Sequence, residues 1–192
     1  RFKEGAKLPW PGKISAQYAV FGSGEGGSRF VFVGEQMDEA GDVHPWRATT
    51  EDGETVASAQ LDAAPVHAIA CGGGHFVVVG PGGLIESSHD GQQWTRRSCA
   101  RHDDFTSIVW DGKRFVVTSG TGTLFSDDGI TWREERSVLP CPLTWAHHSF
   151  GALGFASDGT LRFSKTLRDW ISVTLPAGPR LRAIVSAPPP AK

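Results

Sequence analysis

Acidic residues in glycine-containing turns are the first candidates for chemistry in this sequence. Asp128 lies in the stretch SDDGITW at 126–132, and Asp90 lies in the similar stretch SHDGQQW at 88–94. A carboxylate in a loop can act as a general acid or base, or can bind a metal ion. The same side chain can instead hold the turn, because Asp accepts hydrogen bonds from backbone amides two residues further along. The spacing of the turns decides between these interpretations.

Histidines are the other residues suited to acid–base or metal chemistry. His102, His147 and His148 are candidates, but adjacent strand residues point to opposite faces, so His147 and His148 cannot easily share one ion. The glycine-rich run at 22–27 is followed by no helix and therefore predicts a hairpin loop rather than a phosphate-binding loop. Nucleophile elbows and zinc-site spacings are missing from the sequence. We expect no metal and no cofactor.

The acidic turns recur at a fixed interval. Four segments, TEDGETV, SHDGQQW, SDDGITW and SKTLRDW, begin at residues 50, 88, 126 and 164, so each starts 38 residues after the one before. Equal intervals with shared chemistry indicate an internal repeat. The residues predicted to hold these turns are Asp52, Ser88, Asp90, Gly91, Trp94, Ser126, Asp128, Gly129, Trp132, Ser164 and Trp170. Three copies of one acid at the same place in a repeated turn are better explained by architecture than by catalysis.

Two apolar segments precede each turn and complete the repeat. In the third repeat they are TSIVWDG at 106–112 and FVVT at 115–118, and the second repeat has HAIACG at 67–72. The fourth repeat is degenerate, and the first is stretched by an acidic insertion at 36–43. With 24 Gly, 12 Pro, one Met and no stretch of helical periodicity, each unit is predicted to be a four-stranded meander and almost no helix is expected.

Composition limits the partners of the chain. Its 192 residues suit a single domain, and 19 Lys and Arg against 21 Asp and Glu give a formal charge of −2 without long charged runs. Nucleic acid binding normally requires a basic patch, so a nucleic acid partner is disfavoured. No run of about eighteen apolar residues occurs, so no membrane span is expected.

The S-x-D-G-x-x-W turns resemble the Asp-box, or BNR, repeat of sialidase-like β-propellers. The resemblance covers roughly residues 18–175 and is strongest in the second and third repeats. It implies an all-β propeller of four-stranded antiparallel blades. Val56 replaces the Trp of the first turn, and Thr166 and Leu167 replace the Asp-Gly pair of the fourth. We therefore expect the fourth turn to have lost its lock and to be looser.

A closed ring of five blades in one domain, 1–192, is the favoured architecture. Its blades would span about 18–60, 61–98, 99–137 and 138–176, with the fifth built from 177–192 plus 1–17. Ile184 lies 38 residues after Ala146, which places an inner strand in the C-terminal segment. Such closure removes exposed sheet edges. A fragment of a larger ring, or a partial ring completed by another subunit, is the alternative; a monomer is favoured.

The candidate ligand site is the mouth of the central channel. If the inner strands share one level, a polar ring forms from Tyr18, His67, Thr106, Thr144 and Arg182. Trp110, Trp145 and Trp46 offer flat apolar faces on which a sugar ring can stack, although each can equally pack in the core. Trp94, Trp132 and Trp170 are assigned to packing.

Catalysis is not expected, because the inner strands carry no Asp or Glu before Asp111 and the sialidase residues find no match around Tyr18, the only tyrosine. The function predicted is a non-catalytic, exported propeller that binds a carbohydrate or a protein surface. A glycoside hydrolase, a fragment of a larger sialidase-like enzyme, and an assembly scaffold are the alternatives. The chain begins at Arg1, as expected after leader removal or within a longer chain, and a secreted, periplasmic or cell-surface location is predicted.

Three cysteines complete the list of reactive residues. Cys99 and Cys141 follow the tryptophans of successive repeats by a few residues, so they are the one plausible disulfide pair if their Cα atoms approach within about 7 Å. Three buried thiols are the alternative. Cys71, inside an apolar run, is predicted to be a small buried hydrophobic residue.

Overall fold

The computed structural model describes residues 9, 13–135, 139–147, 151–156 and 160–173, which form sixteen strands and one short 3₁₀ segment at Pro81–Gly83. The first sheet contains β1 (Lys13–Gly24), β2 (Gly27–Met37), β3 (Val43–Thr50) and β4 (Ser58–Leu61). The second contains β5 (Ala68–Gly72), β6 (His75–Gly80), β7 (Leu84–Ser88) and β8 (Thr95–Arg96). The third contains β9 (Phe105–Trp110), β10 (Phe115–Ser119), β11 (Thr123–Ser126) and β12 (Arg133–Glu135). The fourth contains β13 (Leu143–His147), β14 (Gly151–Phe155), β15 (Leu161–Ser164) and β16 (Ile171–Val173).

Each sheet is an antiparallel meander in which strands pair in chain order. In the third sheet, for example, Phe115 lies opposite Trp110 on one side and Ser126 on the other. The glycines that follow Asp in these hairpins have positive φ, as at Gly112 (95°). The prediction of an all-β chain of four-stranded meanders with little helix is confirmed for the described residues. None of their helices is long and apolar enough to cross a membrane.

The four sheets are arranged like consecutive blades of a propeller. The first strand of each sheet contacts the first strand of the next, in the order β1, β5, β9 and β13. Within the described residues, the first and fourth sheets make no extensive contact with each other, so the sheets form an open arc. The predicted fifth blade falls mainly on residues 1–12 and 177–192, which, apart from residue 9, lie outside the described residues.

The first sheet begins earlier than the sequence indicated. Residues 13–17, assigned above to the fifth blade, belong to β1, where Lys13 pairs with Met37 and Ile14 with Gln36. The insertion at 36–43 is the physical reason, because it lengthens the hairpin of β2 and β3 and so gives β1 additional backbone partners. The boundary at residue 18 was therefore wrong by five residues.

The core lies between neighbouring sheets rather than within one. One apolar cluster joins the second and third sheets and includes Val77, Ile85, Phe105 and Phe115, each at most 1% exposed. A second cluster joins the third and fourth sheets around Val116, which is completely buried. Burying each of these side chains stabilises the fold by about 1.5–3 kcal/mol. A single sheet could not do this alone, which is why the units must stack.

The predicted disulfide between Cys99 and Cys141 is absent, since all three cysteines are free. The two residues lie in successive linkers and face different neighbours. The Cys99 thiol donates to the carbonyl of Arg101 (3.2 Å), whereas Cys141 is buried against Gly154 of the fourth sheet. Cys71 packs on Gly22 of β1, where an added Cβ would lie 2.0 Å from its Sγ, and burial raises the pKa of the Cys71 thiol to about 11.

These contacts predict the thiol chemistry of the chain. Unfolded, non-reduced protein should titrate three thiols. In a folded variant with Cys99→Ala and Cys141→Ala, Cys71 should react with a disulfide reagent at neutral pH about a hundredfold more slowly than after unfolding, because only its thiolate reacts. Stopped-flow absorbance measures both rates. A single titratable thiol in the unfolded chain would contradict the assignment.

Candidate functional site

The acidic turns are closed by their own side chains. We call the segments 50–56, 88–94, 126–132 and 164–170 the locking turns. In the third one, the Ser126 hydroxyl donates to Asp128 (2.9 Å) and accepts from the amide of Gly129 (2.8 Å), and Asp128 Oδ1 accepts from the amides of Ile130 (2.8 Å) and Thr131 (2.7 Å). Asp52 and Asp90 accept equivalent bonds in the first and second turns. One oxygen of each carboxylate is thus committed to the turn.

The hydrogen bonds also set the acidity of these carboxyls. Partial burial raises the pKa of Asp128. The hydrogen bonds from the amides of Thr131 and Ile130 and from the Ser126 hydroxyl lower this pKa by more, so that its value is about 2. The amides of Thr55 and Glu54 likewise lower the pKa of Asp52. A carboxyl with so low a pKa is a poor general acid or base at neutral pH.

The fourth turn keeps its geometry, contrary to the expectation that it had lost its lock. Thr166 takes the place of Asp, and its Oγ1 accepts from the amides of Arg168 (3.2 Å) and Asp169 (3.3 Å). Leu167 takes the place of Gly with a φ of 64°. These bonds are longer than those of Asp128, and a leucine in the left-handed region is strained by roughly 1–2 kcal/mol. The fourth turn is therefore locked, but at a cost in stability.

The second, third and fourth locking turns pack on the sheet before them. A Cβ at Gly129 would lie 3.0 Å from Cγ2 of Val77, and one at Gly91 would lie 2.7 Å from Cγ2 of Val31. The turn tryptophans extend these contacts: Trp132 packs on the cluster of the second and third sheets, and Trp170 on that of the third and fourth.

The ring of Trp94 lies beneath the guanidinium of Arg47, 4.8 Å from its centroid. Arg47 also pairs with Glu86 of the next sheet (2.6 Å). The Ser, Asp, Gly and Trp that recur in the turns therefore hold neighbouring sheets together.

The depressed pKa of Asp128 predicts acid sensitivity. Its folded pKa of about 2 lies below the ordinary value of 3.8, so its contribution to stability is complete above about pH 5 and is lost as the pH falls towards 2. Urea unfolding at about pH 6 and pH 3 should show a smaller loss of stability in Asp128→Asn than in the wild type. Asp127→Asn is the matched control, because Asp127 is exposed and, among the described residues, its carboxylate pairs with the exposed Arg133. Equal losses in all three proteins would contradict the role of Asp128.

The predicted channel residues are exposed on the inner strands. We call Tyr18, His67, Thr106 and Thr144 the inner row; all four are exposed, Tyr18 by 42%. The Nδ1 of His67 donates to the carbonyl of Phe105 on the next inner strand (2.9 Å). The row is thereby tied from one sheet to the next. Arg182 lies outside the described residues.

The tryptophans proposed for sugar stacking differ in their environments. Trp46 is only 2% exposed and cannot present a face to a ligand. Trp110 packs on Gly72 of the second sheet, where an added Cβ would lie 2.0 Å from its ring, and on Phe115 (4.7 Å between centroids). Trp46 is thus excluded as a stacking residue, and Trp110 mainly packs the third sheet against the second. Trp145 is in β13, and its side chain is outside the described part.

Metal ligands do not gather in the described part of the chain, where no group of three His, Cys, Asp or Glu residues is close enough to hold an ion. His102 is exposed, and His148 lies outside the described residues. His44 lies between two carboxylates: its Nδ1 contacts Asp62 (2.7 Å) and its Nε2 contacts Asp38 (3.1 Å). These two carboxylates raise the pKa of His44, with Asp62 the stronger.

A groove between the third and fourth sheets was missed by the sequence analysis. It has a volume of about 520 Å³ and is bordered by the β9–β10 hairpin, the third and fourth locking turns and the start of β14. Its charged residues are Asp111, Lys113, Arg114, Asp127, Arg133 and Lys165. The only signal in the sequence was the departure of the fourth turn from the repeat.

The fold and its exposed inner row define the class: an all-β, propeller-like protein built from repeated four-stranded sheets. No protein-family model matches the chain, and no curated protein matches it. Among solved structures, the chain is similar to one titled "Crystal structure of HIRA(644-1017)", with 11% sequence identity and a TM-score of 0.45. The match covers 86% of this chain and 57% of that one, so the chain spans little more than half of its length.

Proposed function

We propose that this protein is a non-catalytic binding module, exported from the cell, that binds a carbohydrate or a protein surface at the mouth of a propeller channel. The observation that supports it most directly is the inner row, because Tyr18, His67, Thr106 and Thr144, each on or directly before the first strand of its sheet, are all exposed. Hydroxyl and imidazole groups on neighbouring inner strands suit hydrogen bonding to a ligand with many polar groups.

The locking turns support the relation to Asp-box propellers. Their Asp side chain accepts from two amides, and the Ser or Thr before it bonds to the Asp. This chemistry explains the repeated S-x-D-G pattern without catalysis, because one oxygen of each carboxylate is held by the turn. We infer that ligand binding is located elsewhere, at the inner row and in loops where the repeats differ.

A fifth blade formed by residues 1–12 and 177–192 is part of the proposal. The first sheet supports it, because β1 is exposed on both faces from Lys13 to Ala19, whereas β5 and β9 are largely buried. Of eight exposed large apolar side chains among the described residues, six are in the first sheet, namely Ile14, Tyr18, Phe21, Phe30, Met37 and Val43. A further sheet would remove this surface from water and close the arc.

Closure has a sharp test in two matched serine substitutions. Phe21, 57% exposed, lies on β1, whereas Ile130, 38% exposed, lies in the third locking turn, away from the gap between the first and fourth sheets. Phe21→Ser should then lower the free energy of unfolding by more than about 2 kcal/mol, whereas Ile130→Ser should change it by less than about 1 kcal/mol. Urea unfolding measures both. Equal small effects would contradict closure. A wild-type dimer in sedimentation would indicate that a second copy of the chain, rather than a fifth blade, covers the apolar surface of the first sheet.

Ligand binding is tested by presenting the folded protein to glycan and peptide arrays. We expect binding that Tyr18→Ala weakens by about tenfold or more, while Ile171→Ser leaves it unchanged, because Tyr18 lies in the inner row and Ile171 on the outer strand. Unchanged binding by Tyr18→Ala would remove the inner row from the site. Turnover of any glycoside would overturn the assignment as non-catalytic.

A further inference from the structure

The groove between the third and fourth sheets differs in charge from the chain as a whole. Four cationic side chains, those of Lys113, Arg114, Arg133 and Lys165, border it together with two carboxylates, so its formal charge is +2 (4 − 2), in a chain whose net charge is −2. A volume of about 520 Å³ lies within the usual range of small-molecule sites, roughly 300–1,000 Å³. Positive charge is thus concentrated in a concave site large enough for a ligand.

Local partners do not cancel the charge of the two lysines. Asp111 is buried and accepts from the amides of Lys113 (2.9 Å) and Arg114 (2.8 Å), and Asp127 pairs with Arg133 (2.5 Å). The guanidinium of Arg114 is stacked 4.0 Å from the centroid of Phe125. Within the described part of the chain, the ammonium groups of Lys113 and Lys165 take part in no hydrogen bond or ion pair. Both lysines are exposed and available to a ligand.

The repeat provides an internal comparison. The equivalent groove between the first and second sheets, of about 450 Å³, is bordered by Glu25, Arg29, His89 and Asp90. His89 and Asp90 precede Lys165 and Thr166 by 76 residues, which is two repeats. One groove therefore has two carboxylates and one guanidinium, and the other has an excess of cations. The architecture is shared, whereas the sign of the charge is reversed.

The fourth turn gives up stability at the same two positions. Thr166 accepts from its amides at 3.2 and 3.3 Å, where Asp128 accepts at 2.8 and 2.7 Å, and Leu167 stands in the left-handed region that glycine occupies elsewhere. Charged acceptors form the stronger hydrogen bonds. An Asp at position 166 would strengthen the turn but would place a carboxylate beside Lys165 in the groove.

We propose that the groove between the third and fourth sheets binds the anionic group, sulfate or carboxylate, of an acidic saccharide. The lysine ammonium groups pair with the anion, and Asp127, an exposed carboxylate of the lining, accepts hydrogen bonds from sugar hydroxyls. An acidic saccharide fits better than an acidic peptide because, among the lining residues that the structure describes, only Ala152 and Leu167 have apolar side chains, too few to bury a peptide anchor. This inference rests on the proposed carbohydrate-binding function and gives it a second, anion-specific subsite.

The test compares four probes by isothermal titration calorimetry: a chondroitin sulfate oligosaccharide, a hyaluronan oligosaccharide, an uncharged cello-oligosaccharide and poly-glutamate. The two acidic saccharides should bind, and raising the salt from about 0.1 M to about 1 M should weaken them strongly, because the screening length falls from about 10 Å to about 3 Å. If poly-glutamate binds more tightly than both saccharides, the saccharide assignment is overturned in favour of an acidic protein segment.

Variants locate the site. Lys113→Glu combined with Lys165→Glu should weaken the acidic saccharides by at least about tenfold, while the same charge change at Lys13 and Arg96, outside the groove, should have less than about a twofold effect. Thr166→Asp adds one carboxylate inside the groove and should weaken binding about fivefold, and Thr166→Ser, which keeps the hydroxyl, should not. Thermal unfolding shows that the variants are folded. Wild-type affinity in both the double variant and Thr166→Asp would overturn the proposal.

The same titrations separate this proposal from the proposed function. Acidic saccharides that bind with sensitivity to Tyr18→Ala, but not to the groove variants, would overturn the groove and retain the inner row. Binding that depends on the groove variants but not on Tyr18→Ala would support the groove alone. No binding of any saccharide by the folded protein would overturn the groove proposal and the carbohydrate part of the proposed function, and would leave binding of a protein surface, which the peptide array tests.

Discussion

The joint between consecutive sheets is the interaction on which the rest of the structure depends. At the joints between the first and second sheets and between the second and third, a turn glycine with a φ near 70° brings its backbone against a buried valine of the sheet before it, as Gly129 does at Val77. A residue with a Cβ is disfavoured there for two reasons: the positive φ of the backbone and the short distance from the Cβ to the valine side chain. The Asp of the turn holds the two amides that follow, and the Trp covers the edge of the joint. A meander of four strands can thus bury one face on its neighbour, which it cannot do alone.

This dependence explains which features were predictable from the sequence. The turn chemistry is local: Ser, Asp and Gly act within five residues of one another, so their spacing predicts their hydrogen bonds directly. The period of 38 residues then predicts the strands that must separate the turns, and the four sheets follow it. The expectation that failed locally concerned Thr166 and Leu167, because a threonine hydroxyl can take the acceptor role and a leucine can tolerate a positive φ when its side chain packs on the core.

Features that depend on distance through space were not predictable in the same way. Cys99 and Cys141 occupy equivalent linkers, yet equivalence in a repeat separates residues by a full blade and does not bring them together. Trp46 and Trp110 share their residue type with sugar-stacking platforms, but burial and a glycine on the neighbouring strand assign them to packing. The groove is contributed by three loops from two repeats, so no single stretch of sequence contains its charge pattern.

In a repeat fold, one turn can lose stability at a binding site while the other turns keep the scaffold stable. Every joint needs a closed turn, but it does not need the same acceptor, since a hydroxyl closes the fourth turn with weaker bonds. Exchanging the acceptor changes the local charge without changing the path of the backbone. The groove beside Lys165 therefore differs in electrostatics from its counterpart beside His89, although each groove is bordered by a hairpin of one sheet and a locking turn of the next. In such an architecture, ligand specificity is set by the turns whose sequence differs from the repeat. The turns that keep the repeat sequence compensate for the stability lost at those positions.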